Sequence, residues 1–298
     1  MMKIRYKITN PIYFELKKLN LIEDSKLFTL NKKTRDAKIC VIKDLKSKII
    51  FLEKNIYRQK NFYTTMKYKN NWDIKTLSGN IKTPEIPDDH RRAVQFKKYF
   101  KNKSILDFGC GWGGFLKNLK YYKSLNGIEI RKECLNYIQK KIKKIKISND
   151  INSIKNKFDV ITMFHVLEHI PNQIETLKIL KSKLNNKGKI IIEVPHAEDF
   201  LILQDELKEF RDFIFWSEHL VLHTYKSLKT VLSKSGFKKI NIYYYQRHGF
   251  SNHLGWFLKR KPGGQNFYEK IISDKLDNFY IENLKKLGQT DTLVAIAE

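Results

Sequence analysis

The sequence predicts an α/β protein built on a mostly parallel sheet, and three observations predict it. From Ser104 onward, short β-rich runs alternate with helical ones, which is how a parallel sheet with covering helices is written in sequence. The first of those runs ends in an acid and opens into glycines at alternate positions, Asp107-Phe108-Gly109-Cys110-Gly111-Trp112-Gly113-Gly114. The chain closes on Thr292-Leu293-Val294-Ala295-Ile296-Ala297, which reads as one more buried strand.

Taken in order, residues 1–85 form an accessory α+β region. Within it, residues 41–52 read as two short strands around a polar turn, a hairpin. Lys82-Thr83-Pro84-Glu85-Ile86-Pro87-Asp88-Asp89 supplies two prolines and then acids, a linker and a helix start. Asp88 or Asp89 is expected to cap a helix running to about Phe100, with Ala93, Phe96, Tyr99 and Phe100 on one face. Strands are expected at 104–108, 124–130, 145–147, 158–164, 188–194 and 237–245. A helix over 132–144 carries Cys134, Tyr137, Ile138 and Ile142 on one stripe. Another is capped by Thr224, buries Leu228, Val231 and Leu232, and stops at Gly236. If residues 292–297 return to the sheet, residues 246–290 are an insertion before the last strand, and the α/β domain is 86–298.

Composition limits the function classes. The 298 residues are 42% hydrophobic, enough for a packed core. No apolar run approaches the roughly 18–20 residues that span a bilayer, and the charged N-terminus lacks a secretory pattern, so a cytoplasmic protein is expected. Cys40, Cys110 and Cys134 form no CxxC pair, which speaks against a disulfide framework or a zinc knuckle. The net charge of +27 would suit nucleic acid. Of the 58 basic residues, however, only nine are Arg, the residue that reads phosphate bidentately, so the charge is read mainly as compositional bias.

Alternate glycines after a strand let backbone approach a ligand where a Cβ would collide, and they open a helix whose N-terminus is partly positive. Asp107, Gly109, Cys110, Gly111 and Gly113 make such a loop, although dinucleotide enzymes use a related pattern. About twenty residues on, Gly127-Ile128-Glu129 ends the next strand with an acid that can accept both hydroxyls of an adenosine ribose. Asp150 and Ile151, after the third strand, can meet an adenine amino group and ring, or simply form a turn.

In this order, Asp107-x-Gly109-x-Gly111-x-Gly113, Gly127-x-Glu129, Phe158-Asp159-Val160-Ile161 through Leu167-Glu168-His169-Ile170-Pro171 and Lys187-Gly188-Lys189, the chain resembles the class I methyltransferases. The likeness covers roughly residues 88–245 and is nearest the subgroup often seen in sugar and glycan methylation. It implies a Rossmann-like, seven-stranded, mostly parallel sheet with helices on both faces, an antiparallel last strand, and S-adenosyl-L-methionine as cofactor. By position, the backbone at Gly109 and Gly111 would hold the methionine part and Glu129 the ribose. Asp107 would orient the loop or meet the amino group, and Phe164 and His165 would flank the sulfonium. Some relatives carry a Glu-x-x-Glu-His that resembles a divalent-metal site; here His165 replaces the first Glu, and no metal is assigned. The N-terminal region resembles a zinc-bearing module that has lost its cysteine ligands.

Methyl transfer needs a base when the acceptor is a hydroxyl. His196, after the fifth strand, and His219, in Trp216-Ser217-Glu218-His219, are the candidates. The stretch from Gln246 through Gln265 mixes aromatics, His, Asn and Gly, a composition that suits a lid over a polar ring-shaped acceptor. The expected acceptor is therefore a sugar or other small polar molecule of surface-polysaccharide biosynthesis. An RNA or tRNA acceptor, or a non-catalytic cofactor-binding relative, are the alternatives.

Overall fold

A computed structural model describes residues 7–56 and 86–298; the part of the expected linker at 82–85 lies outside the described residues. The strands are β1 Leu27–Asn31, β2 Val41–Asp44, β3 Ile50–Leu52, β4 Ser104–Phe108, β5 Ser124–Ile128, β6 Ile145–Ser148, β7 Phe158–Phe164, β8 Leu184–Pro195, β9 Val221–Leu222, β10 Asn241–Tyr245 and β11 Thr292–Ala297. The helices are α1 Pro11–Lys18, α2 Pro87–Gln95, α3 Lys97–Phe100, α4 Gly114–Asn118, α5 Lys132–Lys141, α6 Gln173–Ser182, α7 Lys208–Ile214, α8 Tyr225–Lys234, α9 Phe250–Lys259, α10 Gln265–Tyr268 and α11 Asp274–Leu287. Seven strands form one sheet in the order β10-β11-β8-β7-β4-β5-β6, and four more form a second in the order β1-β2-β3-β9. This is a Rossmann-like α/β fold. Pairing of β4 with β5 and β7, and of β5 with β6, is parallel, whereas β10 and β11 run antiparallel. Among the described residues no helix is long and apolar enough to cross a membrane.

The described residues fall into two compact units, one of residues 86–166, 178–191 and 297–298, the other of 7–56, 167–177 and 192–296. In the first, Phe-Asp-Val-Ile-Thr-Met-Phe of β7 is buried nearly throughout, as a parallel strand covered on both faces should be. Aromatic rings pack beside it: Phe164 stacks on Phe96 and meets Phe115 edge-on, and Phe115 also meets Phe100. Asp159, the one acid in β7, sits at its start. Its carboxylate accepts the Ser104 N–H at 2.9 Å and the Asn185 side-chain amide at 2.9 Å, tying the beginnings of β4 and β8 to β7.

In the second unit, Asn10 caps α1 while its amide donates to the carbonyls of Leu52 and Leu220, both at 2.9 Å. One side chain thus joins the first helix to the β3–β9 pairing. The segment between β10 and β11 is helical and closes on itself. Gly255 and Gly264 approach so closely that a Cβ on either would strike the other's backbone. His253 of α9 meets the Tyr280 hydroxyl of α11 at 2.8 Å. Half of the stretch expected as a lid is helix α9, whose rings meet Phe200, Phe210, Phe213 and Tyr280 from outside the stretch.

Boundaries shift where local backbone geometry decides. Pro87 takes the first helical position of α2, with Ile86 as the flanking residue and no side-chain cap. Asp88 and Asp89 thus lie in the first turn, where they meet the positive end of the helix rather than cap it. The helix breaks at Phe96, where φ is −102°. Residues 237–240 stay outside β10, since Lys239 takes a positive φ of 44°. Thr224 does cap α8, in a reciprocal box with Ser227.

Burial raises the Asp159 pKa, but the hydrogen bonds from Ser104 and Asn185 outweigh it and hold the carboxyl below its ordinary value. A lowered carboxylate pKa contributes stability that is present above the unfolded value and lost as pH falls through the folded one. Asp159→Ala should therefore cost about 1–2 kcal/mol at neutral pH. In urea unfolding, the gap to wild type should close as the solution is acidified. A pH-independent gap would show that the charge plays no part.

Candidate functional site

The register of the sheet sets the first residue of the site. Asp107, at the end of β4, lies between Gly127 of β5 and Thr162 of β7. It is buried, and its carboxylate accepts the Thr162 hydroxyl at 2.7 Å. Burial pushes its pKa up to about 7; the Thr162 hydrogen bond pulls the other way, Asp89 adds to the rise and Arg92 opposes it. Asp89, one turn into α2, is likewise pushed up by burial, to about 6, against the pull of Arg92. The Arg92 guanidinium lies 3.7 Å from Asp89 and 4.9 Å from the centre of the Phe164 ring. A buried acid, a half-buried one and the Arg92 cation thus share this place.

The loop after Asp107 uses glycine for conformation and for closeness. Gly109, Gly111 and Gly113 have φ of 79°, 54° and 76°, in the left-handed region. A Cβ on Gly109 would run into Val166. The N–H groups of Gly109 and Cys110 both donate to the Ile128 carbonyl, at 2.8 and 3.0 Å. Gly111 donates to Glu129 Oε2 at 2.8 Å, while Glu129 Oε1 accepts the N–H groups of Ile130 and Arg131 at 2.9 and 3.0 Å. Glu129 is therefore a strut of the loop, with about one of its four lone-pair positions left for a ligand. Cys110 turns its thiol toward Gly127, where a Cβ would lie 2.6 Å from the sulfur, so only its backbone belongs to the loop surface. Burial pushes that thiol well up.

The remaining expected residues lie in the same unit. Asp150 is exposed, and its Oδ1 accepts the Asn152 N–H at 2.9 Å, which forms the short turn that Ile151 begins. Phe164 is enclosed by Phe96, Phe115 and Arg92. His165 takes a positive φ of 53°, a strained conformation for a side chain that is not glycine.

The second unit gathers a different chemistry. Glu168 is fully buried in the turn Leu167–His169, and its carbonyl accepts the Leu220 N–H at 2.9 Å. That bond brings His219 beside His169, with ring centres 5.0 Å apart. One ligand atom from each of Glu168, His169 and His219 falls within 4.8 Å of the others. A carboxylate with two imidazoles is a donor set that suits a divalent transition-metal ion. Glu218 adds a carboxylate 3.8 Å from His169 Nδ1. Asp36 fixes the neighbouring loop by accepting the Ser217 N–H at 2.9 Å and its hydroxyl at 2.5 Å.

His196 has a different surrounding. It is 1% exposed, donates from Nδ1 to the Thr290 carbonyl at 2.9 Å, and burial pushes its pKa down to about 4. His223, which sequence reasoning missed, is also buried, lies 3.0 Å from both Gln173 and Ser227, and has its pKa pushed down to about 4 by burial. Arg92 and Glu218 were missed too. Asp89 had been assigned only to a cap, and nothing in the local pattern links it to Asp107.

A family model described as a methyltransferase domain matches residues 83–242. The chain belongs to this methyltransferase family. The mitochondrial ubiquinone biosynthesis O-methyltransferase of Saccharomyces cerevisiae is 32% identical over 100 residues, which are 30% of this chain and 32% of that protein. The chain thus matches about a third of the length of that curated relative. Among solved structures, a SAM-dependent methyltransferase from Archaeoglobus fulgidus is similar at 21% identity and a TM-score of 0.48, over 70% of this chain and 91% of that one. Phosphoethanolamine N-methyltransferase 2 of Haemonchus contortus, in complex with S-adenosyl-L-methionine, is similar at 15% identity and a TM-score of 0.43, over 71% and 52%.

The residues present fit S-adenosylmethionine, the cofactor that the resemblance in sequence implies. It carries a sulfonium and an ammonium, which two acids with raised pKa values would welcome, and a carboxylate, for which Arg92 is the matching cation. Loss of the Glu129 strut should loosen the loop at Gly111. Glu129→Ala is expected to weaken S-adenosylmethionine binding by at least about tenfold, corresponding to loss of one charged hydrogen bond. Gly111→Val should act in the same direction through its positive φ. Calorimetric affinities unchanged in both variants would refute the assignment of this loop.

Proposed function

We propose that the chain is an O-methyltransferase acting on a hydroxyl of a small polar acceptor, with a sugar hydroxyl as one member of that class. The observation that carries this reading is the convergence of Glu168, His169 and His219, because only a weak nucleophile such as a hydroxyl needs a base or a cation at hand. The oxygen chemistry named for the yeast relative supports it.

The cofactor, when bound, supplies an electrophilic methyl group on a cationic sulfur. Asp107 and Asp89 would balance its positive charges, Arg92 its carboxylate, and the backbone from Gly109 through Gly113 would hold the methionine chain. Glu129 would accept from the ribose, Asp150 and Ile151 would meet the adenine, and Phe164 and His165 would border the sulfonium. His219, partly exposed and beside His169, would take the acceptor hydroxyl's proton when the methyl group passes to that oxygen and leaves the sulfur as a neutral thioether. His196 is a weaker base at a pKa of about 4, and its ring serves to hold the Thr290 carbonyl.

Release of S-adenosylhomocysteine over a panel of hydroxylated acceptors, with phenols and nucleotide sugars in parallel, tests the reading. His219→Ala should lower turnover about 10²–10³-fold and leave cofactor affinity intact. Turnover equal to wild type in that variant would remove His219 as the base.

A further inference from the structure

The segment between β10 and β11 leaves an unusual amount of apolar surface open. Six of the twelve exposed large apolar side chains of the described residues fall between Leu258 and Leu287: Leu258, Phe267, Ile271, Leu276, Phe279 and Leu287. Scattered exposed apolar residues need no explanation, but half of them gathered in about a tenth of a chain do.

Helix α11 shows how they are arranged. Its inner face is accounted for within the unit: Asp277 accepts the Phe250 N–H at 2.5 Å, Tyr280 packs on Phe250 and holds His253, and Leu284 is buried. Leu276, Phe279 and Leu287 lie on a separate stripe. At 100° per residue they occupy an arc of about 80°, with Lys275 and Lys286 both along its Phe279 edge. Phe279 is 69% and Leu287 66% exposed. The same pairing of apolar rings with lysine recurs nearby, where Lys259 Nζ lies 4.0 Å from the centre of the exposed Phe267 ring and Lys261 Nζ lies 5.8 Å from it.

We propose that this face docks on an anionic lipid bilayer. Phe279, Leu276 and Leu287 enter the boundary between headgroups and acyl chains, and Lys275 and Lys286 reach the lipid phosphates. Charge selects this occupant. A second copy of the chain would bring the same lysines against themselves, whereas an anionic surface meets them with opposite charge. The acids of the helix do not oppose this. Asp277 is committed to Phe250, Glu282 pairs with Lys285 at 2.8 Å, and Asp274 belongs to the first turn. Docking of this kind holds the enzyme at a membrane surface and stands independently of the acceptor.

The test is flotation of the full chain with vesicles of phosphatidylcholine alone and of phosphatidylcholine mixed with phosphatidylglycerol. Binding to the mixed vesicles, absent on the neutral ones and weakened by salt, is expected. Lys275→Glu and Lys286→Glu should each reduce partitioning by at least about fivefold, and Phe279→Ser by about tenfold or more. All three positions are exposed, so melting temperatures should stay at the wild-type value and separate lost docking from lost folding. Failure of the wild type to float with anionic vesicles would overturn the proposal. So would partitioning unaffected by the three substitutions, or a concentration-dependent dimer in light scattering that Phe279→Ser abolishes.

Discussion

The buried carboxyl of Asp107 is the constraint on which the proposed cofactor end of this methyltransferase depends. The sheet register gives it no choice of position. It is fixed between Gly127 and Thr162, with a single side-chain hydroxyl to compensate it, and its pKa stands at about 7. Asp89 brings a second acid, and Arg92 only one cation. Isolated charge in a dry setting is costly, and proteins keep such groups where a ligand relieves them. The glycine loop follows from the same demand. Its left-handed turns bring backbone close to Asp107, and Glu129 locks it through Gly111.

The second unit solves a different problem, the placing of imidazoles. His219 owes its position to the Leu220–Glu168 backbone bond and to Asp36 holding Ser217. The loop between β1 and β2 thereby bears on the placement of the candidate base. His196 and His223 are held by burial and hydrogen bonds instead, which makes them parts of the framework.

The strands of the parallel sheet were legible because each is a short apolar run ending at a polar signal. Ser104–Phe108 and Phe158–Phe164 fall where the pattern puts them, and so does the closing strand Thr292–Ala297. Less legible were features that depend on partners distant in sequence. The dual use of Glu129 requires knowing that Gly111 folds back onto it. The meeting of His169 with His219 spans fifty residues and rests on a backbone bond with no sequence mark. Asp88 and Asp89 misled for a local reason. Pro87, preset for the first helical position, moved the start of the helix ahead of them.

A central claim about charge calls for a measurement of charge. Burial raises Asp107 to about 7 and Asp89 to about 6, so both carry protons in mildly acid solution and lose them as pH rises. Their raised values contribute stability to the ligand-free protein that is present below the unfolded carboxyl pKa and lost as pH climbs through the folded ones. A cationic ligand held by these acids, as proposed, would bind their ionised forms and expel those protons. Titration calorimetry of S-adenosylmethionine binding between about pH 5 and 8, in buffers of differing ionisation heat, reads this directly. The account predicts proton release, an affinity that rises through pH 6–7 and then levels, and a flattened rise in Asp107→Asn. Affinity independent of pH, with no proton released, would contradict it.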